Sequence, residues 1–428
     1  MPSKSFFGPG KPAFRYELVS TALPEPVVAT TPATVTLLLP RELPTTPSKI
    51  IKAGTAVKTG EKLVWDDQPG PAVVSSVTGT ISAVTGGIGD YGRKYTAVTI
   101  TAQKADAWDE QFTDAAKNPS LETLIDYLST APGGPDLAKL ADPKHPINAI
   151  VIYGGDTDLL VETNLYVLKS RIDAVEKGIR VLNQVSGVER IIVAVPGDSF
   201  QNVDGHFPAE VKAVPNQYPN GQPLMVYYHL FGRILEQGRS FEDEGVLFLR
   251  AEAVAAIGQA FADGRVPVQK ILTVMDKSGR KRIVSARIGT PIGAILSMLN
   301  VSLNDRDRII FGGPMTGTAA YSVEQPVQPD TDAIMVQDRD SIILSSDYPC
   351  INCGDCIPVC PAKIQVSMLV RFLEAGQYQD GADLYDLYSC VECGLCSYVC
   401  VSRIPILQYI KLAKYELARL TPVEEENE

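Results

Sequence analysis

Cys350-x2-Cys353-x2-Cys356-x3-Cys360-Pro361 and Cys390-x2-Cys393-x2-Cys396-x3-Cys400 hold all eight cysteines of the 428-residue chain. Each run is four consecutive cysteines, and the nearest histidine is His229. Zinc favours two separated cysteine pairs or Cys/His mixtures. In a reducing compartment such clustering points to metal rather than to disulfides. A four-cysteine run that occurs twice therefore favours iron–sulfur chemistry over paired zinc sites.

The spacing is that of bacterial dicluster ferredoxins, and it occurs twice. The first three cysteines of a run wrap one corner of a cubane within a tight turn, and the fourth points to the other cluster. One [4Fe–4S] cluster is assigned to Cys350, Cys353, Cys356 and Cys400, and the other to Cys390, Cys393, Cys396 and Cys360. Gly354 and Gly394 fall inside the turns, where backbone passes close to sulfide and donates N–H bonds. Pro361 closes the first loop, and Val401 stands where the second would carry proline.

The rest of the chain sets the frame. Its length calls for two to four domains. A composition of 45% hydrophobic and 21% charged residues is ordinary for a globular protein. The net charge of −11 opposes non-specific nucleic-acid binding and docking on anionic headgroups. No apolar run approaches the roughly eighteen residues of a spanning helix, and Met1 to Arg15 has no apolar signal core. The expectation is a cytoplasmic protein held at the inner membrane, if at all, through protein partners.

Residues 16–103 alternate β-branched residues with glycine turns such as Gly86-Gly87 and read as β. Val57-Lys58-Thr59-Gly60-Glu61, with Gly79-Thr80-Ile81 later, is similar to the half-motifs of lipoyl-like barrel-sandwich domains, without a carrier lysine. Lys104 to Pro119 reads as a polar linker. Residues 120–265 look α/β, with Ser120 as a helix N-cap, buried strands from Ala149 and from Arg190, and helical periodicity over Glu162–Gly178 and Leu249–Asp263. Residues 268–336 carry a Lys270–Met275 strand and a Pro291–Asn300 helix. The cysteine module ends in a helix over Ile406–Leu420 and an acidic tail, Glu424 to Glu428.

Taken whole, the chain resembles the RnfC family, the C component of the Rnf electron transport complex. The resemblance rests on Phe6-Phe7-Gly8-Pro9-Gly10, Tyr218-Pro219-Asn220-Gly221, Ile288-Gly289-Thr290-Pro291, Gly312-Gly313-Pro314-Met315-Thr316-Gly317, and the second cysteine loop followed by Ile404-Pro405. It implies a multidomain α/β plus β protein. The implied units are a barrel-sandwich domain over 1–105, an α/β domain like the flavin subunit of complex I over 118–265, a β-grasp (SLBB) domain over 266–338, and a dicluster ferredoxin domain over 345–420. It also implies membrane-embedded and soluble partner subunits, with ferredoxin or NAD(H) as redox partners.

The departures matter as much. The family's glycine-rich phosphate loop aligns with Ala131 to Lys139, where Gly133, Gly134 and Lys139 survive as candidate cofactor-binding residues. Pro132 and Pro135 remove N–H donors, and Asp136 adds charge of the wrong sign for phosphate. Tyr153-Gly154-Gly155-Asp156-Thr157-Asp158 replaces an Asn- and Glu-bearing segment, and Asp156 and Asp158 are read as a solvated loop. Arg250-Ala251-Glu252 stands where an Asn-Val-Gly stretch would face flavin. FMN is thus a cofactor that the resemblance implies and these losses oppose. Three readings stay open: an electron relay within an Rnf-like complex, a flavin- or NADH-dependent oxidoreductase feeding the same clusters, and a microcompartment-type cobalamin reductase. Whether the chain is itself an enzyme is left open with them. No catalytic triad or Walker loop is found, and His145, His206 and His229 are read as structural.

Overall fold

The computed structural model describes residues 12–420 except 18, 20–22, 45–47, 49–50, 66–71, 90–91, 237 and 347, with the backbone alone of Lys4–Ser5, Gly8–Pro9 and residue 202. The side chains of the Phe6–Gly10 opening and the whole acidic tail, Glu424 to Glu428, lie outside the described residues.

The first unit is an antiparallel sheet in which Lys94–Ala102 lies between Thr34–Leu39 and Gly79–Ile88, with Ala56–Val57 at the edge. Alternation places Val35, Leu37, Leu39, Val98 and Ile100 on one buried face. Described segments before Ala33 also reach the other units. Val27–Val28 adds a parallel edge strand to the third unit, and Tyr16 packs against Tyr218 in the second. Nor is Lys104 to Pro119 a free linker. Phe112 is buried in the core of the α/β unit, and Trp108 lies under the Arg265 guanidinium.

The α/β unit is a four-stranded parallel sheet. Its spatial order is Glu210–Val214, Arg190–Pro196, Ala149–Tyr153, Val246–Arg250. Ala149–Tyr153 is buried along its whole length, as an apolar run covered on both faces must be. The strand order reverses between Tyr153 and Arg250. In open α/β sheets the crevice beyond such a switch point is where ligands bind. The expected Glu162–Gly178 helix is broken at Arg171 into Thr163–Ser170 and Ile172–Ser186. Ser120 caps Leu121–Leu128 by accepting from the Thr123 N–H.

A third sheet is built around Gln269–Met275, paired with Lys281–Arg287 and Ala333–Gln337. It meets the first unit at Gly289, whose carbonyl accepts from the Thr36 N–H at 2.9 Å. Two small helical repeats follow. In each, a short helix, Cys356–Val359 or Leu395–Val399, precedes a longer one, Val366–Glu374 or Ile406–Leu420. Leu369, Val370 and Leu373 pack with Ile406, Ile410 and Leu417 into a separate core.

Candidate metal centres and the filled crevice

The backbone of the two cysteine loops repeats in detail. Asn352, Gly354 and Lys363 have positive φ, and so do Glu392, Gly394 and Arg403, each 40 residues later. Left-handed residues at these points fold each loop tightly enough to turn three sulfurs inward. Cys350, Cys353, Cys356 and Cys400 line one small cavity, closed by Val370, Ile404 and Ile406. Cys360, Cys390, Cys393 and Cys396 line a second, closed by Leu369, Leu407 and Ile410. The fourth cysteine of each run thus lies with the other run's first three. Among the described residues, no three Cys, His, Asp or Glu side chains are grouped so as to hold a single metal ion.

Burial pushes the Cys356 and Cys390 thiols up to about 11 and the Cys393 thiol up to about 12. Buried thiolates therefore need positive charge beside them, and iron supplies it. The second cavity also has help from the protein. The Glu392 N–H donates to Cys390 Sγ at 3.4 Å. Lys414 Nζ donates to the Cys390 carbonyl at 2.9 Å and pairs with Glu392 at 2.8 Å. The residues present fit a four-iron cubane in each cavity. Lys414 was missed in the sequence, although its place three residues after Lys411 on one helix puts both on one face.

The second loop is also fastened to the α/β and third units. Tyr218 Oη donates to the Cys393 carbonyl at 2.5 Å. Gly394 has φ +73°, and a Cβ there would lie 2.5 Å from the Met315 carbonyl oxygen. The Gly312–Gly317 loop is itself held by Asp158, which accepts from the Thr316 N–H and hydroxyl at 2.7 Å each and from the Met315 N–H at 3.2 Å. Lys411 donates to the Thr316 carbonyl at 2.9 Å. Asp158 is therefore no part of a solvated loop. Asp156 is not either: its carboxylate accepts from the Asn164 and Leu165 N–H groups at 2.8 and 3.3 Å, satisfying the first turn of the Thr163–Ser170 helix. Both are buried. Desolvation raises the Asp156 carboxyl to about 7.

The switch-point crevice is narrowed by the protein's own side chains to a recess of about 570 Å³. Arg250 donates to the Gly133 carbonyl at 2.9 Å and pairs with Asp332 at 3.2 Å. Lys270, fully buried, pairs with Glu252 and with Asp332. Tyr16 Oη accepts from the Gly221 N–H at 3.0 Å, and the Tyr153 hydroxyl lies so near that a Cβ on Gly221 would come within 2.5 Å of it. The surviving glycines offer no free donors: the Gly133 N–H goes to the Pro329 carbonyl at 2.7 Å and the Gly134 N–H to that of Ala131 at 3.0 Å. Lys139 is paired with Glu242 at 2.5 Å and with Asp136 at 3.5 Å. The recess that remains is lined by Asp158, Asp330 and Asp332 against Arg250 and Lys411. A phosphate would meet spent donors and excess negative charge there, so these residues do not fit FMN. The histidines lie elsewhere. His145 bridges Asp142 and Asp243, and His229 bonds Asn220.

Residues 349–404, which hold both cysteine runs, match the family model described as a 4Fe-4S dicluster domain. Beyond that module, the chain is similar to the C components of ion-translocating oxidoreductase complexes. It is 28% identical over 393 residues to the one from Edwardsiella ictaluri, covering 87% of this chain and 49% of that one. The one from Pseudomonas aeruginosa is 28% identical over 389 residues, covering 86% and 50%. The C component of the proton-translocating ferredoxin:NAD(+) oxidoreductase complex of Clostridium ljungdahlii is 26% identical over 398 residues, covering 87% and 85%. The chain thus spans about half the length of the first two relatives. The likeness to these RnfC-type proteins runs through nearly nine tenths of the chain. Among solved structures, an NAD+-reducing [NiFe]-hydrogenase in its H2-reduced state aligns with 73% of this chain and 63% of its own, at 12% identity and a TM-score of 0.44.

Proposed function

We propose that this chain is an electron relay within a membrane-associated, Rnf-like redox complex, carrying electrons one at a time through two [4Fe–4S] clusters. One cluster would be held by Cys350, Cys353, Cys356 and Cys400, the other by Cys360, Cys390, Cys393 and Cys396. The observation that carries the reading is the pair of cavities, each lined by four cysteines from two runs. When bound, cubanes supply one-electron storage at potentials set by charge, hydrogen bonds and exposure. The Glu392 N–H and Lys414 bear on the second cavity alone, so its potential should be the higher of the two. The relay sits on a barrel-sandwich unit, a flavin-subunit-like unit whose crevice is narrowed by its own ion pairs, and a β-grasp unit. No described helix is long and apolar enough to cross a membrane. Attachment would then come through protein partners at the cytoplasmic face.

A second reading, a flavin- or NADH-dependent oxidoreductase, keeps one observation in its favour. A cleft of about 830 Å³ lined by Tyr228, Phe241, Tyr388, Pro361 and Val391 borders the second cavity, and Lys139 lies on its rim. Metal and sulfide analysis tests the first reading. About eight irons and eight labile sulfides per chain are expected of two cubanes. Zinc in their place, without broad absorbance at the blue end of the visible range, would sink it.

A further inference from the structure

The two cysteine halves repeat with a 40-residue offset in their ligands, their positive-φ residues and the starts of their longer helices at Val366 and Ile406, yet their surroundings differ. In the second half, the face made by Val391, Cys393 and Leu395 is covered. It packs on Tyr16, Leu159, Tyr218 and Met315, and Cys393 and Leu395 are buried. In the first half, the equivalent positions are Ile351, Cys353 and Asp355. Ile351 is 64% exposed and Cys353 is exposed. The apolar surface extends beyond this face. The Ser346 N–H donates to the Arg403 carbonyl, and Ser402 Oγ donates to the Pro349 carbonyl, so the strand of chain before Cys350 lies along the end of the second loop. Tyr348 and Val401, next to these bonded residues, are 74% and 58% exposed.

We propose that this face is the docking surface for a second protein that carries a redox centre near its own surface, presented on an apolar patch. The proposal rests on the reading that both cavities hold clusters. The argument is the internal repeat: this module already buries the same face of its second half against a protein surface. An exposed apolar patch around a ligand loop marks an interaction site. The side chains that cover the second half shield its ligand loop from solvent, while Cys353 lies at the molecular surface. The partner at the open end would therefore exchange electrons first with the cluster of Cys350, Cys353, Cys356 and Cys400.

The test uses the full chain in its native complex. A photo-crosslinking phenylalanine analogue is placed at position 348, and an identical one at exposed Lys177 on the Ile172–Ser186 helix serves as control. Separately, Ile351→Glu is compared with wild type for electron exchange across the complex and for cluster spin-resonance spectra. The expected result is one adduct at position 348, absent at 177, with a protein that holds a redox cofactor. Ile351→Glu should slow exchange at least tenfold while both cluster spectra persist. An adduct with a second copy of this chain, an adduct with a protein lacking a redox centre, no adduct above control, or unchanged exchange in Ile351→Glu would each overturn the proposal. Absent cluster spectra in the wild type would instead overturn the underlying cluster assignment.

Discussion

Replacing Cys360 by alanine separates crossed ligation from local ligation. Cys360 directly follows the Cys356–Val359 helix, yet it lines the cavity of Cys390, Cys393 and Cys396. Each cavity has four sulfurs, so Cys360→Ala leaves three in one and four in the other. A cubane with three protein ligands should be lost during anaerobic gel filtration, and iron should fall from about eight to about four per chain. The identity of the lost cluster is read by pulse alkylation with iodoacetamide and mass spectrometry. Cys390, Cys393 and Cys396 should become labelled, while Cys350, Cys353, Cys356 and Cys400 stay protected. Cys400→Ala should give the reverse, exposing Cys350, Cys353 and Cys356. Labelling of Cys350, Cys353 and Cys356 in Cys360→Ala, with the second run protected, would refute the crossing.

Two further outcomes concern the narrowed crevice. Lys270→Met leaves Glu252 and Asp332 buried without their shared cation, so unfolding stability should drop by about 3–5 kcal/mol; a urea midpoint shift equivalent to less than about 1 kcal/mol would contradict that pairing. Asp156 has a folded-state value near 7 against an ordinary 3.8, so the native state holds its proton more tightly than the unfolded chain. Its contribution is fully present below about pH 4 and is lost as pH rises to about 7, at up to about 1.4 kcal/mol per unit. Asp156→Asn should therefore flatten the stability curve between pH 4 and 7, as followed by chemical denaturation across that range, and a parallel offset at all pH values would count against it.

How much of this was legible in the sequence depends on how far apart the cooperating residues lie. Cluster ligation is written in spacings of two and three residues, and its one long-range feature, the crossing, follows from the steric limit of a four-cysteine turn. Local signals also served for the Ser120 cap and the Ile406–Leu420 helix, which has the expected bounds. The loss of the phosphate loop was visible as Pro132, Pro135 and Asp136, but what replaced it was not. Arg250, Glu252, Lys270 and Asp332 are drawn from three separate segments, and only the meeting of two sheets makes them one buried network. Asp156 and Asp158 misled for the same reason. Two aspartates among glycines look solvated, yet they accept from backbone N–H groups 8 and 158 residues away. Tyr16 gave no signal at all, because it fills a cavity of a unit that begins a hundred residues later.

The claim that the crevice has become structural while the clusters remain is tested most directly by adding FMN and NADH to the reconstituted full chain under anaerobic conditions. The account predicts no flavin retained after gel filtration and no bleaching of cluster absorbance by NADH, with immediate bleaching by dithionite. Stoichiometric FMN in the protein fraction, or rapid bleaching by NADH, would contradict it and favour the cleft beside Tyr228 and Val391 as a working cofactor site.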